Sequence, residues 1–210
     1  MLLLTLIRQK RLQSGVDAHF SENGDTAVSF EERDIPTASQ CMELLVESFG
    51  ADSRLVSHSK KVAQTALRLA KTLNRNGLNL NLKLIEAASL LHDMARDRYD
   101  HAQVAAQFLR QRHWPRVAEI VEAHMKPYFL RPDAVTEVDV VSFCDRLVLG
   151  DRLIPLEARF RRKLLSHADD PETANIIQQK FDAARSAQAG FEKILGMNLE
   201  ELFPELHGID

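Results

Sequence analysis

Apolar residues recur at steps of three and four along most of the chain after Pro36, which is the spacing of one face of an α-helix. We predict a helix from Pro36 and Thr37 to about Phe49 and a second that Asp52 and Ser53 cap. A third follows the Asn-rich connection 74–81 and continues through residue 95. Further helices are predicted at about 101–112, 115–124, 135–149, 154–167 and 171–195.

Residues 1–35 have a different pattern, because they are polar and strand-like only in short pieces. Asn23-Gly24-Asp25 is a candidate hairpin turn between two short strands. We therefore predict an all-α fold over residues 36–210, a helical bundle with C-terminal helices. Residues 1–35 would form an irregular or β-hairpin-like N-terminal extension, or the remnant of another domain.

Two adjacent polar residues, His92 and Asp93, interrupt one of the apolar stripes. His92 shares its predicted helix face with apolar residues, namely Leu84, Ile85, Ala88, Leu91 and Ala95. The imidazole is therefore expected to point inward. Asp93 lies about 100° further round the helix. Both side chains would then reach one metal ion only where the helix borders a cleft.

Two other polar residues have the same inward placement. His58 shares a stripe with Val62, Ala66 and Leu69. Asp145 shares one with Val138, Val141 and Val148, if the helix extends to Leu149. A carboxylate without a partner on an apolar stripe would be strongly unfavourable, so Asp145 needs a cation.

Each of these residues alone has a simpler explanation. A single inward histidine is more often a hydrogen-bonded core residue than a metal ligand, and an inward aspartate is often a helix cap or half of an ion pair. Four such residues on three helices favour one shared metal site instead.

The order His58, His92-Asp93, Asp145 resembles the ligand order of the HD superfamily of metal-dependent phosphohydrolases. The flanking segments Ala87–Arg96 and Val141–Val148 are similar to the ligand helices of that superfamily, and the resemblance covers roughly residues 50–160. It implies an HD-domain helical bundle in which these four residues bind the metal.

A narrower resemblance concerns one branch of the superfamily. The stretch Arg146–Phe160 resembles HD domains that are fused to nucleotidyltransferases of the molybdenum-cofactor type, and Asp34–Thr37 is similar to the end of such a nucleotidyltransferase. This resemblance would explain the N-terminal segment as the remnant of a fusion.

Two further histidines, His101 and His124, decide how many metal ions are expected. In binuclear HD enzymes similarly placed histidines bind a second metal, whereas in mononuclear ones they contact the substrate phosphate. His101 could instead cap a helix or lie on the surface. His124 shares a stripe with apolar residues, which favours a role in the site.

Basic residues close to the ligands are candidates for binding phosphate. Arg96, Lys126 and Arg146 each lie within four residues of a proposed site residue, about one helical turn away. The alternative is that they are solvated or paired with neighbouring acids. Arg96 and Lys126 are the stabilisers of charge that we favour. The charged run 157–163 is interpreted as a solvated helix face with Phe160 pointing inward.

The chemical types of the proposed ligands indicate which class of metal ion they would bind. Imidazole together with carboxylate suits Mn, Fe, Co, Ni or Zn better than Ca or Mg, and one or two ions are compatible with the histidine count. Such an ion can lower the pKa of bound water toward about 7 and neutralise charge on phosphoryl oxygens. Asp93 is placed to hold that water.

Composition sets outer limits on partners and location. The chain has 210 residues, 45% hydrophobic and 27% charged, with a net charge of −3. This charge gives no basic field for nonspecific binding of nucleic acid. The apolar start, residues 1–7, is too short to cross a bilayer. Cys41 and Cys144 have no metal-like spacing and are expected to be buried thiols, so we predict a cytoplasmic protein.

These observations lead to a main hypothesis and alternatives from other classes. The main one is a metal-dependent hydrolase of a small phosphorylated metabolite, a nucleotide or a dinucleotide. The alternatives are a metal-containing module that binds or senses a nucleotide without turnover, and an interaction scaffold without metal. Whether the chain forms a homodimer stays open.

Overall fold

The computed structural model describes residues 34–125 and 134–207, and helices dominate both ranges. The helices are α1 (Ala38–Phe49), α2 (Arg54–Arg75), α3 (Leu82–Leu91), α4 (His101–Gln111), α5 (Pro115–Ala123), α6 (Glu137–Leu147), α7 (Leu156–Ser166), α8 (Pro171–Leu195) and α9 (Leu199–Leu202). A 3-10 turn, Pro204–Leu206, follows α9. The all-α prediction is confirmed. Across the described ranges, every helix is too short or too polar to cross a lipid bilayer.

Some sequence predictions lie outside these ranges. The strands and turn predicted within residues 1–33 do, and so does Lys126. The proposed division of the chain after residue 35 therefore stays a prediction, as does the role of Lys126.

Polar side chains fix where the site-bearing helices begin. The Ser53 hydroxyl accepts a hydrogen bond from the Val56 backbone N–H at 3.2 Å and caps α2, which carries His58. Thr136 caps α6 in a capping box, and the Asp139 carboxylate accepts the Thr136 backbone N–H at 2.8 Å. The first residue of each helix sets the direction in which the later residues point, so these caps set the direction of His58 and Asp145.

The core lies where α2, α3 and α6 pack against one another. Each of the three helices contributes fully buried apolar side chains, among them Val62, Leu69, Ile85, Leu91 and Phe143. Burying one such side chain stabilises a fold by about 1.5–3 kcal/mol. Phe143 also contacts Phe191 of α8, with ring centroids 4.9 Å apart. α6 is thereby fixed between the core helices and α8.

The helix predicted to continue through residue 95 ends earlier, at Leu91. Beyond it, backbone hydrogen bonds link residues three apart, from Met94 to Leu91 and from Arg96 to Asp93, at 3.2 and 3.0 Å. The cause is local: the His92 imidazole Nδ1 donates to the Ser89 carbonyl at 2.8 Å. That carbonyl would otherwise accept the Asp93 backbone N–H in a continuing α-helix.

The helix predicted at 135–149 is also too long, and the one at 154–167 is shorter by two residues at its start and one at its end. Val148–Leu149 forms strand β1, which pairs antiparallel with β2, Arg152–Leu153. Gly150 begins the connecting turn with a φ of 63°, a value that glycine tolerates and a two-residue hairpin requires. The hairpin places the Gly150 carbonyl beside α2.

Both cysteines are buried and free, as predicted. Burial raises the pKa of both thiols, that of Cys41 to about 12. Reaction at neutral pH requires the thiolate, so both behave as small apolar core residues.

Candidate metal centre

The structure brings all six predicted histidine and aspartate residues together. They come from α2, the end of α3, the start of α4, the end of α5 and α6, and they are His58, His92, Asp93, His101, His124 and Asp145. The four imidazoles form a row in which neighbouring ring centroids lie 5.2–5.7 Å apart. Most of these side chains are buried, so water reaches the cluster from a limited direction.

Backbone carbonyls orient three of the imidazoles. The Nδ1–H of His58 donates to the Gly150 carbonyl at 3.0 Å, and that of His124 donates to the Val121 carbonyl at 2.6 Å. His92 makes the equivalent bond to Ser89. A hydrogen bond from Nδ1 selects the tautomer whose Nε2 carries a lone pair. All three Nε2 atoms therefore face the cluster, and in the neutral ring each can donate an electron pair.

His92 and His124 occupy the same position relative to their helices. Each follows the last residue of a helix in α-helical conformation, and each bonds the carbonyl three residues earlier. Such carbonyls at the ends of helices lack a backbone partner. In both cases the hydrogen bond from Nδ1 lies at the end of the helix and fixes the orientation of the imidazole.

A first group of ligand-type atoms contains His58, His92, Asp93 and Asp145. Asp145 Oδ1 lies 3.2 Å from His58 Nε2 and 3.5 Å from His92 Nε2. Asp93 Oδ2 lies 3.5 Å from His92 Nε2 and 3.9 Å from His58 Nε2. All four separations exceed the roughly 2.7–2.9 Å of a charged hydrogen bond.

Atoms that each lie about 2.1 Å from one ion would be roughly 3.0–3.4 Å apart, close to these distances. The donor set fits a divalent cation.

A second group shares Asp93 with the first. Asp93 Oδ1 lies 3.5 Å from His101 Nε2 and 3.9 Å from His124 Nε2. The Nε2 atoms of His92, His101 and His124 are buried and have no hydrogen-bond partner among the described residues. Buried polar atoms are normally satisfied, and a cation would satisfy these three atoms. The two oxygens of Asp93 thus face two adjacent clusters.

The charges of the cluster follow from its contacts. Burial opposes ionisation of both carboxyls, yet the imidazoles hold the pKa of Asp93 and Asp145 below the usual range. Burial also opposes a charge on His92, but contacts with Asp145 and Asp93 prevail and raise its pKa to about 10. Burial, with repulsion from His92, lowers the pKa of His124 to about 4. At neutral pH both carboxyls are therefore ionised, His124 is neutral, and the metal-free His92 holds a proton.

Of the predicted basic residues, Arg96 contacts the cluster, whereas Arg146 bonds to its own helix. An Nη of Arg96 donates to Asp93 Oδ2, while 58% of the Arg96 side chain remains exposed. Arg146 donates to the Ser142 carbonyl one turn before it in α6. Arg96 is thus anchored at the centre and open to solvent on its other side.

Arg159 is a residue that the sequence analysis missed. The run 157–163 was assigned to a solvated face, which is correct for Arg161 and Arg162, and Phe160 points inward as predicted. Arg159, however, is half-buried, and its Nη1 donates to the Val148 carbonyl. A signal was present, because Arg159 follows the buried Leu156 by three residues and therefore lies on the inner flank of α7.

Parts of the chain are similar in sequence to known proteins. A tRNA (cytidine(56)-2'-O)-methyltransferase of Thermoplasma volcanium is 30% identical over 155 residues, which cover 64% of this chain and 44% of that protein. An uncharacterized protein of Methanocaldococcus jannaschii is 24% identical over 130 residues, covering 52% of this chain and 77% of that protein. The chain thus spans less than half the length of the methyltransferase. No solved structure matches the chain with significant similarity.

The family comparison covers the centre itself. Residues 55–161 match the family described as HD domain, and this range contains all six clustered side chains together with Arg96 and Arg159. The match spans half of the chain and includes the helices that bring those side chains together, so the protein belongs to the HD domain family.

Proposed function

We propose that the protein is a metal-dependent phosphohydrolase that acts on a small phosphorylated metabolite, a nucleotide or a dinucleotide. The observation that carries this proposal is the split of Asp93 between two groups of inward-facing imidazole Nε2 atoms. A carboxylate shared in this way suits two neighbouring divalent ions, an arrangement found in many enzymes that cleave phosphate esters.

The chain's own residues have separate roles in this proposal. His58, His92, Asp93 and Asp145 would hold the first ion, and His101 and His124 would hold a second ion together with Asp93. An ion bound there would lower the pKa of water toward about 7 and neutralise charge on phosphoryl oxygens. Asp93 would orient the attacking water, while Arg96 and Lys126 would stabilise the charge of the phosphate.

The pKa shifts of the clustered side chains support this division. His124 is neutral at neutral pH, so it accepts an ion without losing a proton. The ionised carboxyls supply the negative charge that a divalent ion requires. His92 is therefore the residue of these four that must lose a proton before an ion can bind.

A second candidate is a metal-containing module that binds or senses a nucleotide without turnover. Its support is that one relative is described as a methyltransferase, and the region shared with this chain is only 44% of that protein. An HD domain within a larger protein could serve binding alone. A tRNA partner is disfavoured for this chain by its net charge of −3.

We expect protein purified without added metal, then incubated separately with Mn, Fe, Co, Ni and Zn, to retain at least one of these ions. With that ion it should release phosphate from members of a panel of nucleotides and dinucleotides. Elemental analysis and a phosphate-release assay measure the two properties. Binding of nucleotide without release under all five ions would favour the binding module, and failure to take up any ion would contradict both candidates.

The number of ions is tested by His124→Asn. The asparagine amide can still donate to the Val121 carbonyl, but it offers no Nε2 to the second group. We expect metal content to fall from about two ions per chain to about one. His167→Asn, which changes an exposed histidine on the surface, is the matched control. A content of about one ion in both proteins would assign His101 and His124 to phosphate contact instead.

A further inference from the structure

The outer half of the α7–α8 pair, residues 161–180, has very little buried surface. Ile177 is the single buried side chain in this range, all of which the structure describes. Closer to the bundle the two helices do pack together, and the rings of Phe160 and Phe181 are stacked with centroids 5.0 Å apart. A helix in water depends mainly on the packing of its apolar face for stability. The outer half therefore has apolar surface that another surface could cover.

A groove of about 370 Å³ lies between α7 and α8 in this half. Its lining is mostly apolar and includes Leu164, Ala168 and Phe181. Leu165 lines the same groove, and 72% of it is exposed, more than any other large aliphatic residue in the described ranges. An apolar groove and an apolar projection thus lie side by side, so that two copies of this surface could fill each other.

The charges on the two sides of Leu165 have opposite signs. Arg161 precedes Leu165 by four residues and also lines the groove, whereas Asp169 follows it by four, and both are exposed. A twofold axis near Leu165 would place Arg161 of each copy opposite Asp169 of the other, because residues equally far before and after the axis meet. The surface is therefore complementary to itself in charge as well as in shape.

This pattern of charge also decides which occupant fits the groove. A nucleic acid or an anionic membrane would be attracted by the basic residues 161–163 but repelled by the three acidic residues within 169–172. A peptide of one charge sign would match one end alone. A second copy of the chain, turned end for end, matches both ends.

We infer that this surface binds a second copy of the chain, with the outer halves of α7 and α8 packed antiparallel about a twofold axis near Leu165. Leu165 of each copy enters the groove of the other, and Arg161 pairs with Asp169 across the interface. The dimer joins four helices, two from each copy, into one bundle. The groove shares no side chain with the candidate metal centre, so the inference does not depend on the proposed hydrolase.

Sedimentation equilibrium of the full chain tests the apolar part of the interface. We expect a wild-type dimer, and Leu165→Asp should weaken it by about 100-fold or more, because two leucines in each dimer lose their burial. Ile176→Asp is the matched control, since Ile176 is an exposed apolar residue of α8 that does not line the groove. It should change the dissociation constant by less than about threefold.

Exchange of the two charges tests the orientation of the copies. Arg161→Asp alone, or Asp169→Arg alone, places like charges opposite each other at two positions in the dimer and should weaken it by about tenfold. The two substitutions in one chain should restore the dissociation constant to within about threefold of wild type, because the opposite charges face each other again.

A disulfide tests the position of the axis. Leu165→Cys should form a covalent dimer on oxidation, since a disulfide requires Cα atoms within about 7 Å and both copies of this residue lie near the axis. Ile176→Cys is the control that should stay uncrosslinked under the same conditions. Both native cysteines are buried and should not react.

Three results would overturn the inference. The first is a wild-type protein that stays monomeric up to about 100 μM, a concentration at which even a weak specific dimer assembles. The second is a dimer that neither Leu165→Asp weakens nor Leu165→Cys crosslinks, because it would form through another face. The third is a combined charge exchange that dissociates as readily as the single variants, because Arg161 and Asp169 would then not meet.

Discussion

Replacement of Asp93 by alanine should remove metal from both groups and lower kcat/KM by about 10³-fold or more for any phosphate compound that the protein cleaves. Asp93 Oδ2 faces His58 and His92, whereas Oδ1 faces His101 and His124, so one substitution takes a ligand from each group. A metal ion supplies several kcal/mol of charge stabilisation in the transition state, and each 1.36 kcal/mol is tenfold in rate.

The measurement pairs metal content with steady-state kinetics. Asp97→Ala is the matched control, because Asp97 is exposed in the segment that follows the same helix. Asp93→Asn keeps the size of the side chain and separates the loss of charge from a change in packing. Metal content and turnover that persist in both Asp93 variants would contradict the proposed centre.

Much of the centre's composition could be predicted because helical periodicity is a local property. His58 and its apolar stripe lie within one continuous helix, and the inward direction follows from spacing alone. The same reasoning predicted the inward direction of Asp145, although its helix stops at Leu147. An error of two residues at a helix end does not change the direction of a residue inside that helix.

The contacts that orient the clustered histidines could not be predicted in this way. The His58 imidazole donates to the carbonyl of Gly150, which lies 92 positions further along the chain. Its position depends on the hairpin, whose first strand was predicted as the end of a helix and whose turn and second strand were predicted only as a connection between two helices. The dipeptide Gly150-Asp151, which follows the apolar pair Val148-Leu149, is typical of a hairpin turn, so a signal was present but the longer helical pattern outweighed it.

The end of α3 illustrates a second limit. Apolar spacing continues through Ala95, whereas the helix ends at Leu91, where the His92 imidazole competes for the Ser89 carbonyl. Periodicity describes which side chains are buried and does not describe such competition. The early end of α3 affects the candidate metal centre. The tighter turns after Leu91 allow two adjacent residues, His92 and Asp93, to face the same cluster.

Arg159 was missed for a related reason. A run of charged residues is normally solvated, and most members of 157–163 are. The exception depends on the packing of α7 beside the hairpin, where the Val148 carbonyl accepts a hydrogen bond from Arg159. Contacts of this kind arise from tertiary structure and leave only a weak trace in the spacing of residues.

The proton on His92 gives the metal-free protein a stability that depends on pH. Its pKa in the folded protein, about 10, is above the value of about 6.5 expected for an unfolded chain. Protonated His92 therefore stabilises the fold fully below about pH 6.5, and this contribution is lost as pH rises toward 10. His124 acts in the opposite sense, since its pKa is lowered to about 4 and the fold loses stability as pH falls from about 6.5 toward that value.

Metal binding should have the opposite pH dependence at His92, because an ion binds only the neutral imidazole. The ion must displace the proton at any pH well below 10, so the apparent affinity of the first group should rise about tenfold per pH unit. We expect an increase of about 100-fold for Mn between roughly pH 6.5 and 8.5. The second group should show no comparable rise, because His124 is already neutral in this range.

Calorimetric titration with Mn in buffers of different ionisation enthalpy counts the released protons directly. Wild type should release about one proton for the ion that enters the first group, and His124→Asn should retain this release while losing the second ion. Binding without proton release, or an affinity that is constant across this pH range, would show that His92 is neutral before the ion arrives. The contacts between His92 and the two carboxylates, 3.5 Å each, would then be too weak to hold a proton against burial.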